Sequence, residues 1–249
     1  MTIFIAVYIM LIGLILGSFY NVVALRVPAG ESLLRPPSHC TSCGTSLTAR
    51  DLMPVLSYLL SSGRCRHCGA RVSPLYVLGE AATGLLFLWV YVQFGLTGKG
   101  AIGFVLVSLA VIVTVADLRY MLIPNKVLLF FLPLLLVLVI SCSEGPLWSH
   151  LLGGAVGGVI VLLLALFGGM GMGDVKLFAL LGWVVGFPNV ILAFLIACAL
   201  GTVVGGTLIL LGKIQRKQPV PFGPWLAAGS LIAFSYGSHL ISGYLALIR

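Results

Sequence analysis

Charge is what this chain has least of. Asp, Glu, Lys and Arg make up only 8% of its 249 residues, and just six residues are acidic, whereas an ordinary soluble domain is about 25% charged. Apolar residues reach 60%, and the mean hydropathy is +1.18. Such a chain cannot cover a water-facing surface with polar groups. A soluble globular fold is therefore excluded, and lipid is the expected solvent for most of the protein. No basic residue precedes Arg26, so the apolar N-terminus lacks the positive flank of a cleaved secretory leader and reads as a retained first span. There is no low-complexity linker and no evident internal repeat, and no Gly-x-x-x-x-Gly-Lys-Ser/Thr pattern follows the Gly169–Gly173 cluster, which argues against a nucleotide site. The net charge of +8 would suggest nucleic acid in a soluble protein. Here the basic residues sit in loops, where an anionic cytoplasmic leaflet accounts for them, and no nucleic-acid partner is expected.

A membrane-crossing helix needs roughly 20 apolar residues. Charge-poor runs predict spans at 2–25, 74–94, 100–116, 127–142 and 149–167. The stretch from Leu177 to Gly212 has no charge and is too long for one span; Pro188-Asn189 marks a turn within it, predicting a short span at 174–187 and another at 189–212. A last span runs from about Trp225 to Ile248. The fold class expected is an all-α membrane protein of about eight transmembrane helices with a small cytoplasmic zinc-ribbon-like loop. With the N-terminus outside, the inner loops carry Arg26, Arg35, Arg50, Arg64, Arg66, Arg71, Arg119, Lys126, Lys176, Lys213, Arg216 and Lys217, leaving only Lys99 and Arg249 outside. The positive-inside rule selects this orientation over its inverse. Glycines at 153, 154, 157, 158, 182, 186, 201 and 205 have the small-xxx-small spacing that lets helices approach closely in lipid.

Residues 26–73 form the one sizeable extramembrane segment. Cys40-Thr-Ser-Cys43 and Cys65-Arg-His-Cys68 are two C-x2-C pairs with 21 residues between them, the spacing of a four-cysteine structural zinc site. A glycine follows each pair, as a tight metal knuckle requires. Two disulfides are the competing reading, and a cytoplasmic loop disfavours them. Metal coordination would supply folding free energy to a loop with few apolar side chains.

The acids are Glu31, Asp51, Glu80, Asp117, Glu144 and Asp174. Asp117 ends one predicted span and Asp174 opens another, and the topology puts both at the cytoplasmic level. Two carboxylates at one depth can share a proton, one acting as base and one as acid on water attacking a peptide carbonyl. Asp174 as a helix N-cap and Asp117 as a headgroup-level partner of Arg119 or Lys126 are the structural alternatives. Glu80 lies inside the second span, and Gly173 and Lys176 flank Asp174.

Several motifs carry a family resemblance. They are Gly17-Ser-Phe-Tyr-Asn-Val-Val-Ala-Leu-Arg-Val-Pro28, the cysteine pairs, Asp51-Leu-Met-Pro-Val-Leu-Ser-Tyr58, Tyr76 with Glu80, Asp117–Asn125, the Gly171-x-Gly-Asp-x-Lys-Leu177 core and Pro221-Phe-Gly-Pro-Trp-Leu-Ala-Ala-Gly229. In this order they resemble the bacterial prepilin peptidases across essentially the whole chain. The departures are Leu52 after Asp51, where Asn is usual, and Leu75 before Tyr76. The resemblance implies an aspartic peptidase, with Asp117 and Asp174 catalytic and Cys40, Cys43, Cys65 and Cys68 holding zinc. It also implies an N-terminal domain over 1–98 and a peptidase membrane domain over 99–249. Such enzymes remove the basic leader of type IV prepilin-like proteins after a glycine at the cytoplasmic face of the inner membrane, and many then N-methylate the new terminus with S-adenosylmethionine. Glu80, Gly173 and Lys176 are the further candidates near the site. The rival readings are a proton-coupled transporter, disfavoured by acids at the mouth and not the midplane, and a non-catalytic zinc-bearing scaffold.

Overall fold

The computed structural model describes residues 2–143, 145–215 and 220–248. Glu144, Arg216, Lys217 and Arg249, which entered the charge reasoning, lie outside the described residues. Among the described residues the chain is helical, with no strand beyond two isolated β-bridges. The helices are α1 (Thr2–Ala29), α2 (Leu56–Leu60), α3 (Pro74–Phe94), α4 (Gly98–Tyr120), α5 (Asn125–Cys142), α6 (Leu147–Leu166), α7 (Met172–Val185), α8 (Asn189–Leu210) and α9 (Gly223–Ile248). They group into two compact units, Met1–Leu96 and Thr97–Arg249.

Six of these helices (α1, α3, α4, α5, α6 and α8) are long and apolar enough to cross a membrane by length and composition. The two further spans expected correspond to α7 and α9. With 14 residues, α7 is about 21 Å long, less than a hydrocarbon core of about 30 Å. α9 has 26 residues and ample length, but its apolar run is diluted by Ser230, Ser235, Tyr236, Ser238, His239 and Ser242.

Local chemistry sets the helix ends. Ser73 caps α3, its hydroxyl accepting from the Leu75 N–H at 3.3 Å, with Pro74 at the first helical position, where a missing N–H costs nothing. Thr97 caps α4 through the Gly100 N–H at 3.1 Å. α4 stops where Met121 enters the left-handed region at φ 51° and returns its N–H to the Asp117 carbonyl at 2.8 Å. The uncharged stretch predicted to turn at Pro188 does break there. α7 ends at Gly186, φ 75°, and α8 starts at Asn189. Ser149 braces the turn, its Oγ donating to the Phe187 carbonyl at 2.7 Å while its own carbonyl accepts from the Phe187 N–H at 2.9 Å. The first span runs past its expected end at residue 25, through Arg26 to Ala29.

In the first unit α1 packs on α3. The buried Asn21 donates from Nδ2 to the Tyr76 carbonyl at 2.8 Å. In the second unit α4 is the interior helix, and its Leu106, Val107, Leu109 and Val113 are fully enclosed. α5 and α9 each pack against both α4 and α7, while α6 pairs with α7 and α8 with α9. The α6–α7 contact depends on missing side chains, since a Cβ on Gly153 would collide with the Gly182 carbonyl and lie 2.8 Å from Gly186 Cα. Not every glycine of the expected packing pattern does this: a Cβ on Gly205 would meet nothing within 4 Å.

Gly153→Ala should therefore destabilise the second unit by about 1–3 kcal/mol, lowering the thermal unfolding midpoint in detergent, whereas Gly205→Ala should leave it unchanged or slightly raised, Ala being the better helix former. Equal behaviour of the two variants would contradict the packing described.

Candidate active site and cysteine cluster

The cysteine loop folds as two matching knuckles offset by 25 positions. His39 bridges Ser46 as Arg64 bridges Arg71. The Cys40 N–H donates to the Thr45 carbonyl at 2.9 Å and the Cys65 N–H to the Ala70 carbonyl at 2.8 Å. Gly44 and Gly69 return their N–H groups to the Cys40 and Cys65 carbonyls, both at 2.9 Å, with φ of 70° and 71°. Only glycine adopts that conformation without strain. No repeat was evident in the sequence because the equivalence covers only these short stretches; it is the hydrogen bonding that exposes it.

The knuckles bring the four sulfurs of Cys40, Cys43, Cys65 and Cys68 within 4.8 Å of one another, with Cys40 Sγ 3.8 Å from Cys68 Sγ. All four are free thiols. A disulfide would require about 2.0 Å, whereas four thiolates about 2.3 Å from a tetrahedral zinc stand roughly 3.8 Å apart. The donor set and spacing fit zinc. The electrostatics agree. Backbone N–H groups from within the same knuckle hold the Cys40 and Cys65 thiols below their ordinary range, and the Thr45 hydroxyl and amide do the same for Cys43. At Cys68 the Ala70 amide also lowers the value, but desolvation and the crowding of the other sulfurs outweigh it and push the thiol up to about 11. Four thiolates this close need a cation among them.

Between the knuckles, Asp51 accepts from the Thr48 hydroxyl at 2.7 Å and the Thr48 N–H at 3.0 Å, and pairs with Arg66 at 3.6 Å. These bonds, with the Thr48 hydroxyl first, hold its carboxyl below the usual range. Glu80, expected near a catalytic site, belongs to the first unit, and its Oε2 accepts from the Val55 N–H at 2.8 Å. Val55 has φ 61° and ψ −47°, with the Leu56 N–H reaching the Pro54 carbonyl at 2.6 Å. This is a γ-turn in a conformation that costs a β-branched residue strain. Glu80 thus fastens the loop to α3 at its most strained point.

The second unit gathers the other candidates around the ends of four helices. Asp117 lies in the last turn of α4 and is only 5% exposed. Its Oδ2 accepts from the N–H of Gly223, the first residue of α9, at 2.9 Å across 106 positions. Asp174 lies at the third position of α7, half-buried, and its Oδ2 accepts from the Gly171 N–H at 3.0 Å. It is therefore not the N-cap, a position held by Gly171; from N3 it reaches back to the cap, because Gly171 has no side chain to do so. The two aspartates are near enough for the charge of Asp174 to act on Asp117. In each, the second carboxylate oxygen has no hydrogen-bond partner among the described residues.

The surrounding groups fix this arrangement. Gly173 sits against Ile123, where a Cβ would come within 3.1 Å of the Ile123 Cβ, so α7 lies close along the α4–α5 turn. Lys176 donates from Nζ to Asn125 Oδ1 at 3.0 Å, tying α7 to the start of α5. Gly223 itself received no role from the sequence, although a Gly-Pro pair opening an apolar run marks a helix start. Its amide could be connected with Asp117 only in three dimensions.

The cysteine geometry yields a direct test. Purified chain should contain about one zinc per molecule by metal analysis, Cys40→Ser or Cys65→Ser should lower that content several-fold, and acidification should release the ion as the thiolates protonate. Four titratable thiols in a metal-free, folded protein would contradict the assignment.

Comparison with known proteins agrees with both halves. Residues 11–94 match the model of the bacterial peptidase A24 N-terminal domain, and residues 104–206 match that of the type IV leader peptidase family. A prepilin leader peptidase/N-methyltransferase from Bacillus subtilis strain 168 is 39% identical over 237 residues, covering 94% of this chain and 96% of that protein. Proteins of the same name from Stutzerimonas stutzeri and Xanthomonas campestris are 30% and 33% identical, over 96% and 94% of this chain and 93% and 92% of theirs. No solved structure matches significantly. With both domain models matched in order and a relative this similar over nearly its whole length, the chain belongs to the type IV leader peptidase family.

Proposed function

We propose that this protein is a membrane aspartic endopeptidase. It cuts the basic leader from type IV prepilin-like precursors after a glycine, at the cytoplasmic face of the bacterial inner membrane, and then N-methylates the new amino terminus. The observation that carries the reading is the Asp117–Asp174 arrangement, in which each carboxylate is anchored through one oxygen by a backbone amide and has the other without a partner. The family membership and the names of the relatives support the substrate class and the methylation. S-adenosylmethionine is the co-substrate that supplies the methyl group.

In this mechanism one aspartate, ionised, takes a proton from water as the oxygen attacks the scissile carbonyl. The other, protonated, hydrogen-bonds the carbonyl oxygen, and a proton then passes to the amine as the C–N bond breaks. Such a pair works only if its separation and orientation are held, and the amide anchors do this without consuming the free oxygens. Gly171 fixes Asp174 within its own helix turn. Gly223 fixes Asp117 from a different helix, with the positive end of the α9 dipole facing the carboxylate. Cys40, Cys43, Cys65 and Cys68 would hold a zinc ion through four thiolates, a donor set that would leave no open position for chemistry and would serve to fold the loop. The basic residues of the loops support an orientation with the N-terminus outside, and the family membership supports the inner-membrane location. A precursor with a basic leader inside would present its junction at the depth of the two aspartates.

Asp117→Asn and Asp174→Asn should each lower the rate of cleavage of a pilin-like precursor by at least about a hundredfold with the unfolding midpoint nearly unchanged, because an Asn oxygen still accepts the anchoring amide. Cleavage at the wild-type rate in either variant would refute the acid pair and favour a non-catalytic scaffold. A Cβ on Gly223 would stand 2.8 Å from Asp117 Oδ2, so Gly223→Ala should lower kcat by roughly ten- to a hundredfold with KM little changed; an unaltered kcat would show that the amide does not position Asp117.

A further inference from the structure

The matched knuckles differ in one respect that the metal does not explain. Where the first bridges His39 to Ser46, the second bridges Arg64 to Arg71. Residues opposite each other in an antiparallel pair have Cβ atoms about 5 Å apart, and like charges so placed are destabilising. The first knuckle adopts the same hydrogen bonding without such a pair, so the arginines are not demanded by the fold. Among the described residues the one acid–base pair in this loop is Asp51 with Arg66, and neither Arg64 nor Arg71 has a carboxylate partner. Both arginines border an open cleft of about 530 Å³ together with Tyr58, Ser62 and Ser73, three hydroxyls that can donate. The Tyr58 ring backs Gly63, where a Cβ would come within 2.9 Å of it.

The cleft also has a defined depth. Ser73 caps α3, a helix long and apolar enough to cross a membrane, and Arg71 precedes its first residue, Pro74, by three positions. The cleft therefore lies at the level of the lipid headgroups, beside the positive end of a helix dipole. Two guanidinium forks and three hydroxyls at that depth suit a tetrahedral oxyanion.

We propose that the Arg64–Arg71 cleft binds a phosphate group, supplied by an anionic phospholipid of the cytoplasmic leaflet. The phosphodiester's single negative charge, placed between the opposed arginines, offsets their repulsion and secures the second knuckle to the membrane at the start of α3. The site is independent of the peptidase chemistry assigned above.

The test uses the full-length, zinc-loaded chain in micelles of an uncharged, phosphate-free detergent, following the thermal unfolding midpoint during titration with phosphatidylglycerol and, separately, with inorganic phosphate. Phosphatidylglycerol should raise the midpoint saturably. Arg64→Gln/Arg71→Gln should weaken its apparent affinity by more than about 100-fold, as loss of two charge-assisted contacts requires, while Arg35→Gln/Arg50→Gln, removing two other arginines of the same loop, should weaken it by no more than the roughly 30-fold of diffuse attraction. Equal losses in the two double variants would overturn the site in favour of diffuse attraction. An equal rise with inorganic phosphate, with nothing added by the lipid, would overturn the lipid source and leave a free-phosphate site. Zinc content monitors folding. If the glutamine pair loses zinc, Arg64→Lys/Arg71→Lys keeps the charge and removes the planar forks; it should still show weakened binding, and wild-type affinity there would overturn the fork-mediated contact.

Discussion

The hydrogen bond from the Gly223 amide to Asp117 joins the last turn of α4 to the first residue of α9 across 106 positions, and much of the second unit is arranged around it. A carboxylate at the C-terminal end of its own helix faces the negative end of that helix's dipole, and Asp117 is also nearly enclosed. The start of α9 offsets both disadvantages by presenting an unpaired N–H and a positive dipole end. The bond satisfies a donor that a helix N-terminus would otherwise leave open. It also holds the Asp117 side chain in one orientation, as the proposed catalysis requires, and the absence of a Cβ at Gly223 makes the approach possible. α7 is brought to the same place because α5 and α9 each pack against it as well as against α4. Asp174 then repeats the device on a local scale by holding the Gly171 amide.

The first unit solves a different problem. Its loop has too little apolar surface to fold by burial, and it relies on two knuckles whose backbone hydrogen bonds point at sulfur and turn at glycine. The pairing of the knuckles brings four thiols to the separation a tetrahedral cation requires, so coordination of such an ion would take the place of a hydrophobic core. The loop is fastened to the α1–α3 pair through Glu80 and the strained turn at Val55. That bond gives a purpose to a carboxylate inside a membrane helix that position in the sequence did not reveal.

Lipid as solvent explains why the sequence was so readable. Long uncharged runs placed the helices within a few residues. The scarcity of acids drew attention to Asp117 and Asp174, and Cys-x-x-Cys-Gly spacing picked out the four cysteines whose sulfurs the fold brings together. Boundaries were less legible where a charged residue and a helix breaker continue a helix, as Arg26 and Pro28 do in α1. The number of crossings was also less legible: α7 is too short to span by length, and α9 carries polar residues along an otherwise sufficient helix. Asp174 looked like an N-cap and instead sits at N3. Propensity ranks residue types near a helix start but does not set the register, and here Gly171 takes the cap.

What the sequence by itself determined is the chemistry available: a membrane solvent, four soft metal ligands in knuckle spacing, and two acids at span ends. Composition and short-range spacing suffice for these because they depend on solvation and on neighbours within one turn. What only the tertiary structure decided is which groups meet. The Gly223 amide at Asp117, Lys176 at Asn125 and Glu80 at the Val55 turn are contacts between segments whose separation along the chain carries no information about their separation in space. They follow from how helices pack on one another and how the cysteine loop folds back on α3, and a linear pattern does not encode that packing.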